Sequence, residues 1–267
     1  MGSSVRLTAI AALALLLPLA VSAHPEDEFC LPGEGALDPA LCAALSELDN
    51  AERVASGALL DAAGRPLSGW ATFGLYVEVG VRHILPTGLD HILFVLALFL
   101  SSTRLMALVI QISTFTVAHT ATLGLAAAGV ISPSASIVEP LIAASIAFVA
   151  VENLFLRDMP RWRPLVVFAF GLIHGMGFAG FFGELGLPPE QFWSGLIGFN
   201  VGVEIGQLSV VAAAFLAALV FRRSVADTLT DDGIAARYRR WIAVPLSLAI
   251  AAVGLFWAVE RTLSMSL

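Results

Sequence analysis

The chain has 267 residues, of which 58% are hydrophobic and 13% charged, with a mean hydropathy of +0.88. This composition excludes an ordinary soluble domain and predicts a membrane protein whose lipid-facing surfaces are also apolar. The net charge of −7 gives no indication of a nucleic-acid partner.

Residues 1–23 have the features of a secretory signal peptide. Arg6 precedes an apolar run from Leu7 to Leu19, and the small residues that follow suit cleavage after Ala23. An uncleaved first membrane helix is the alternative, although the run is short for a span. Cleavage would place the mature N-terminus outside the cytoplasm, in a multi-pass protein of the inner (plasma) membrane.

Residues 24–69 form an acidic extracytoplasmic segment, which contains the two cysteines of the chain, Cys30 and Cys42. An oxidising compartment favours a disulfide between them. A metal-binding thiol pair is the alternative, but the spacing matches no zinc pattern.

Six apolar stretches follow, and a helix of about 20 residues spans a bilayer. They cover residues 88–102, 105–130, 136–156, 163–184, 192–221 and 240–262. Before them, residues 70–84 predict a short interfacial or re-entrant helix that ends at Leu85-Pro86 and brings His83 back toward the first span. We expect an all-α membrane domain over residues 70–263, with about six transmembrane helices plus this short helix.

The distribution of arginines predicts the orientation. With the N-terminus outside, three inner loops hold the basic residues, whereas the outer loops at 131–135 and 185–191 hold none, as the positive-inside rule requires. The inner set is Arg104, Arg157, Arg161, Arg163, Arg222, Arg223, Arg237, Arg239 and Arg240.

Several metal-binding side chains lie within or at the ends of the apolar stretches. They are His83, Asp90, His91, His119, His174 and Glu204. Such groups are costly at membrane depth unless they face a cavity, a partner or an ion. Because the predicted topology places them at compatible depths, we expect one metal site, with His83 and Asp90 as ligands or supporting residues. Imidazoles with carboxylates suit nickel, zinc, copper or cobalt.

Other polar residues are expected to line a pathway or to support the ligands. They are Gln111, Glu152, Asn153, Asn200 and Gln207. An interhelical hydrogen-bond network is the alternative for the polar face of the fifth span. On its far side Gly198, Gly202 and Gly206 predict a close helix contact, through which the chain could also oligomerise. A hydroxyl face with Ser113 and Thr116 is interpreted as packing.

Two acidic residues near span starts fit capping boxes. Thr87 with Asp90 and Ser136 with Glu139 have the required spacing. For Glu139 the cap is the preferred interpretation, whereas Asp90 could both cap and serve the metal site.

Five segments of the chain resemble the HupE/UreJ family of hydrogenase and urease accessory membrane proteins, particularly its second, less characterised branch. They are HILPTGLDHILF (83–94), FTVAHTATL (115–123), VEN (151–153), FGLIHGMGFAG (170–180) and IGFNVGVEIGQL (197–208). The resemblance implies a polytopic protein associated with nickel supply, whose better-known branch is a permease with a His-x5-Asp-His motif and a second motif with two histidines. In this chain six residues separate His83 from Asp90, and Met176-Gly177-Phe178 stands where another histidine could follow His174.

We therefore expect a transporter of a divalent transition metal. The sequence has no ATP-binding motif, so transport would be channel-like or ion-coupled. A membrane-embedded metal hydrolase, with Glu204 or Asp90 as general base and Ser113 assisting, is the competing class. A non-transporting accessory or assembly subunit is the third. A polar path from the site to Glu152 would favour transport, and a closed floor beneath His174 would favour an enzyme.

Overall fold

The structure is a computed structural model that describes residues 67–102, 104–156, 160–178, 189–225 and 230–264. These residues form helices and contain no strand, which confirms the all-α class. The predicted signal peptide, most of the acidic segment and the Cys30–Cys42 disulfide lie outside the described residues.

The described helices agree closely with the apolar stretches of the sequence. They are α1 (Gly69–Ile84), α2 (Leu89–Ser101), α3 (Leu105–Ala127), α4 (Ala135–Phe155), α5 (Arg163–Gly177), α6 (Pro189–Val225), α7 (Asp231–Tyr238) and α8 (Val244–Ser264). A π-helical turn, Arg239–Ala243, joins α7 to α8 without a break.

The expected count of six spans is not confirmed. Among the described residues α3, α4, α6 and the continuous α7–α8 helix are long and apolar enough to cross a membrane. Helices α1 and α2 pass the same test only together, as one span bent by 71°, and α5 is a shorter apolar helix. The described helices therefore provide four spans, or five if the bent pair is one span. With 13 residues, α2 is about 20 Å long and too short to cross alone.

Neither predicted capping box forms. Helix α2 begins after Gly88 without a side-chain cap, and the Thr87 hydroxyl instead donates to the Arg82 carbonyl. Helix α4 begins at Ala135, two residues earlier than the box requires, and Ser136 bonds to the Ser134 hydroxyl. The capping predictions for Thr87–Asp90 and Ser136–Glu139 were therefore wrong, because both helices start elsewhere than the motif assumed.

The glycine stripe of α6 makes the predicted close helix contact, and its partner is α1. A Cβ atom at Gly202 would collide with the Val77 carbonyl, and one at Gly206 would press against Ile84. The contacts advance in the same direction along both helices, so α1 and α6 run parallel. The stripe therefore serves packing within the chain.

Two further helix pairs complete the bundle. Helices α3 and α5 are parallel, with Gly171 against Phe115 and Gly175 against the His119 carbonyl. Helices α4 and α8 are antiparallel, with Gly254 against Ala147. Glycine permits backbone contact in each pair, which fixes the depth of the side chains on α1, α3 and α5 relative to one another.

Candidate metal centre

The site begins at the break between α1 and α2. Leu85 has an extended backbone and Pro86 follows it, so α1 ends at Ile84. Gly88 lies against the His83 carbonyl so closely that a Cβ atom would collide with it. The turn places His83, in the last turn of α1, beside His91, in the first turn of α2, with 4.8 Å between ring centroids.

A third imidazole reaches this point from the middle of α3. One nitrogen from each of His83, His91 and His119 lies within 4.8 Å of the others. In all three residues Nε2 is buried and has no hydrogen-bond partner. Each metal–imidazole bond is about 2.0–2.1 Å long, so one ion bridges nitrogens roughly 3–4 Å apart, a range that small ring rotations would reach. We call these three residues the histidine cluster.

Asn200 fixes the tautomer of His119. The Asn200 Nδ2 donates to the Leu196 carbonyl at 2.8 Å, so its Oδ1 is the atom that faces His119 Nδ1, at 3.0 Å. The imidazole must therefore donate from Nδ1, which leaves the lone pair on Nε2 directed away from Asn200. A hydrogen bond of this kind orients a metal-binding histidine and raises its basicity.

His174 lies beside the cluster, with its ring centroid 5.1 Å from that of His91. The Ser145 hydroxyl donates to the Ile142 carbonyl at 2.6 Å and accepts from His174 Nε2 at 2.9 Å. The remaining lone pair of His174 is then on Nδ1, which is buried without a partner. His174 is thus a neighbouring imidazole, outside the group of three.

Aromatic rings enclose the imidazoles. Phe178 and Phe199 stack on each other at 4.9 Å, and Phe178 also contacts the His83 ring at 4.3 Å. On the other side, Phe94 and Phe115 lie 5.2 and 5.1 Å from the His174 ring. The imidazoles therefore lie among aromatic rings, and Phe94 and Phe115 pack against the His174 ring.

Asp90 does not join the three histidines. Its carboxylate binds Arg261 of α8, with both oxygens within 3.1 Å of Nη2. Arg261 also donates to the Glu139 carbonyl of α4. Asp90 therefore ties α2 to the end of α8 and the start of α4.

Glu204 also lies apart from the group of three. Its Oε1 accepts from the Ser113 hydroxyl at 2.7 Å, and its Oε2 accepts from Thr116. Thr116 is 3.3 Å from Gln207 Oε1. The interpretation of Ser113 and Thr116 as a packing face was therefore wrong, because their hydroxyls bond across to α6.

The inner polar residues form a separate cluster at the other end of the bundle. Glu152 pairs with the buried Arg163 at 3.2 Å, and Asn153 accepts from the same guanidinium. Asn153 also donates to the Ala97 carbonyl of α2 at 2.7 Å. Along α4, Glu152 is seven residues beyond Ser145, or about 10 Å from the level of His174. Gln111 donates to the Ala107 carbonyl of its own helix.

Sequence reasoning missed the two arginines that pair with Asp90 and Glu152. Arg261 carried a usable signal, because it is a basic residue at the predicted outer end of the last span, where the positive-inside rule expects none. Arg163 carried no such signal. It was counted among the inner loop charges, yet only 1% of its surface is exposed.

The chemistry of the cluster is that of a transition-metal site. Neutral imidazoles bind nickel, cobalt, zinc and copper, and no oxygen ligand belongs to the group of three that would favour magnesium or calcium. Three nitrogens leave coordination positions open, which suits an ion that must enter and leave, or one that must bind water.

A comparison with protein families gives one match. The family model described as HupE / UreJ protein matches residues 61–261, which include α1 and nearly all of α8. No curated protein matches the chain, and no solved structure matches it.

Proposed function

Because the chain belongs to the HupE/UreJ family, which is associated with nickel or cobalt uptake or with accessory roles, we propose that it transports a divalent transition-metal ion across the membrane. Nickel is the first candidate because the family implies it, and imidazole ligands accept it. The histidine cluster holds the ion in transit. His174 is the adjacent imidazole to which the ion can move.

The position of the cluster at a helix break is the observation that carries this proposal. Discontinuous helices are a common source of ion and substrate sites in secondary transporters, because an interrupted helix can change its angle while the rest of the bundle stays packed. Here the two halves meet at 71° and contribute His83 and His91 from opposite sides of the break. A site on a rigid, continuous helix could not change the angle between its ligands in this way.

We further propose that the ion enters from the extracytoplasmic side of the inner membrane. The ion pair of Asp90 with Arg261 lies at the end of the bundle that the arginine distribution assigns to the outside. Arg163 and Arg239 bind residues at the opposite end of α4, which that distribution assigns to the cytoplasm.

Uptake by purified protein in liposomes tests the proposal. Liposomes containing a metal-sensitive fluorophore should take up external Ni²⁺ faster with the parent protein than without protein. His119→Ala should reduce entry to the protein-free rate, because it removes one of three ligands. Val117→Ala is the matched control on the same helix, since Val117 is exposed outside the cluster. Equal entry with and without the parent protein would refute transport.

A metal hydrolase is the second candidate, and two observations favour it. Catalytic zinc is commonly held by three protein ligands with one open position, and His174 is packed against the apolar rings of Phe94 and Phe115 rather than a polar path. Against it, neither Asp90 nor Glu204 belongs to the group of three, so none of the described carboxylates is placed there as general base. Zinc-loaded protein assayed on a panel of esters and amides should release no product. Hydrolysis lost in His119→Ala would establish the enzyme instead.

A further inference from the structure

A second polar site lies between α3 and α6. It consists of Glu204, Ser113, Thr116 and Gln207, which we call the Glu204 site. Both carboxylate oxygens accept hydroxyl hydrogen bonds, from Ser113 at 2.7 Å and from Thr116. Gln207 is fully buried, its Oε1 is 3.3 Å from the Thr116 hydroxyl, and its Nε2 has no partner.

The Glu204 site is one helical turn from the histidine cluster on both helices that form it. On α6, Asn200 precedes Glu204 by four residues and binds His119. On α3, Thr116 precedes His119 by three residues. One turn of helix rises about 5.4 Å, so a divalent ion on the cluster would lie close enough to act on the charge of Glu204.

Glu204 has no cationic partner among the described residues. The ionisable side chains on the helices packed against α6 are Tyr76, Glu78, Arg82 and His83 on α1, Asp90 and His91 on α2, and His119 on α3. On α6 itself, Arg222 and Arg223 lie about five turns beyond Glu204. Glu78 pairs with Arg82, and Asp90 pairs with Arg261. An ionised carboxylate at membrane depth without a counter-charge is costly, and it is commonly relieved by taking up a proton.

The donors of this site suit a proton better than a metal ion. Two hydroxyls bond the carboxylate and one amide oxygen contacts Thr116, whereas calcium takes six to eight oxygen ligands and magnesium six in an octahedron. The unpartnered Gln207 Nε2 is an N–H donor, which would repel a cation. Hydroxyls can both donate to the ionised carboxylate and accept from the protonated one. Glu204 is also only partly buried, so the carboxyl is not sealed inside the bundle.

We propose that Glu204 exchanges a proton against the metal ion. When the ion occupies the histidine cluster, its charge favours the ionised carboxylate, the O–H bond of the Glu204 carboxyl breaks, and the proton passes to water. When the ion leaves, the carboxyl takes a proton back. Release of the proton on metal binding needs no transport. Its role as an exchange of metal for protons across the membrane rests on the proposed function.

Infrared difference spectroscopy of the purified protein tests the exchange without transport. Addition of Ni²⁺ to the parent should remove the C=O stretch of a protonated carboxyl. Glu204→Gln should still bind Ni²⁺, but more weakly than the parent because it cannot ionise, and should show no such loss, while Glu204→Asp should show it at a shifted frequency. Ser209→Ala, an exposed change on the same helix whose hydroxyl bonds its own backbone, should resemble the parent. An unchanged carboxyl band in the parent, or the same loss in Glu204→Gln, would overturn the proposal. So would failure of folded Glu204→Gln to bind Ni²⁺, because Glu204 would then be a ligand.

Liposome assays then separate this inference from the proposed function. An acidic interior should accelerate Ni²⁺ entry through the parent, and Glu204→Gln should lose that acceleration. If the parent loses the carboxyl band on binding Ni²⁺ but moves no metal, transport fails and the proton linkage stands. If the parent moves Ni²⁺ with no response to interior pH, transport stands and the exchange is overturned.

Discussion

The second hydrogen bond of a histidine decides which of its nitrogens can bind a metal. In His119 that bond goes from Nδ1 to Asn200, and in His174 it goes from Nε2 to Ser145. The two rings therefore offer different nitrogens to the same region. Sequence patterns indicated that Asn200 and His119 belong to polar faces of their helices. They could not indicate this bond, because it joins residues 81 positions apart.

Replacement of Asn200 by Leu should weaken metal binding without removing a ligand. Loss of the Oδ1 acceptor frees the His119 ring to rotate and to change tautomer, and losses of this kind cost roughly 10–100-fold in metal affinity. Equilibrium dialysis with Ni²⁺ measures the effect, with Val117→Ala as the control. An Asn200→Leu affinity equal to that of the parent would show that the bond does not support the site.

At the scale of elements, the sequence predicted the helices well because their apolar stretches are long and clearly bounded. It also predicted the break at Leu85-Pro86 and the close contact of Gly198, Gly202 and Gly206. Caps were predicted poorly, since their motifs depend on the first helical residue, which in α4 is Ala135 rather than Ile137. The partner of the glycine stripe was not predictable, because sequence spacing carries no information about which helix packs opposite.

Gly202→Ala should destabilise the protein, whereas Gly74→Ala should not. A methyl group at Gly202 collides with the backbone of α1, and overpacking of this kind costs about 1–3 kcal/mol. At Gly74, on α1, nothing lies within 4 Å of the added atom, so alanine should raise helix stability by roughly 0.5–1 kcal/mol. Thermal unfolding in detergent compares the two variants. Equal melting temperatures would contradict the close packing of α1 on α6.

At the scale of the whole molecule, polar groups form distinct layers between the two ends of the bundle. The pair of Asp90 with Arg261 is at one end, and the pair of Glu152 with Arg163 is at the other. The histidines lie between them and are packed against phenylalanine rings. The sequence indicated the depth of these residues. It suggested one site shared with Asp90 and Glu204. In the structure, Arg261 binds Asp90 and Ser113 binds Glu204, so both carboxylates lie apart from the group of three histidines.

Cysteine labelling tests the orientation of this assembly. In a background with Cys30→Ser and Cys42→Ser, Ser132→Cys should react with an impermeant maleimide added to intact cells, because it lies in a predicted outer loop. Thr230→Cys should react only after the membrane is opened, because it lies in the loop that Arg222, Arg223 and Arg237 to Arg240 assign to the cytoplasm. Labelling of Thr230→Cys in intact cells would reverse the proposed direction of entry.

X-ray absorption spectroscopy of the Ni²⁺-loaded protein tests the central claim most directly, because imidazole rings give a characteristic outer-shell scattering pattern. If His83, His91 and His119 hold the ion, the parent should show about three imidazoles per nickel, and His119→Ala should show one fewer. A nickel environment without imidazoles, or one that is the same in His119→Ala, would contradict binding at the histidine cluster.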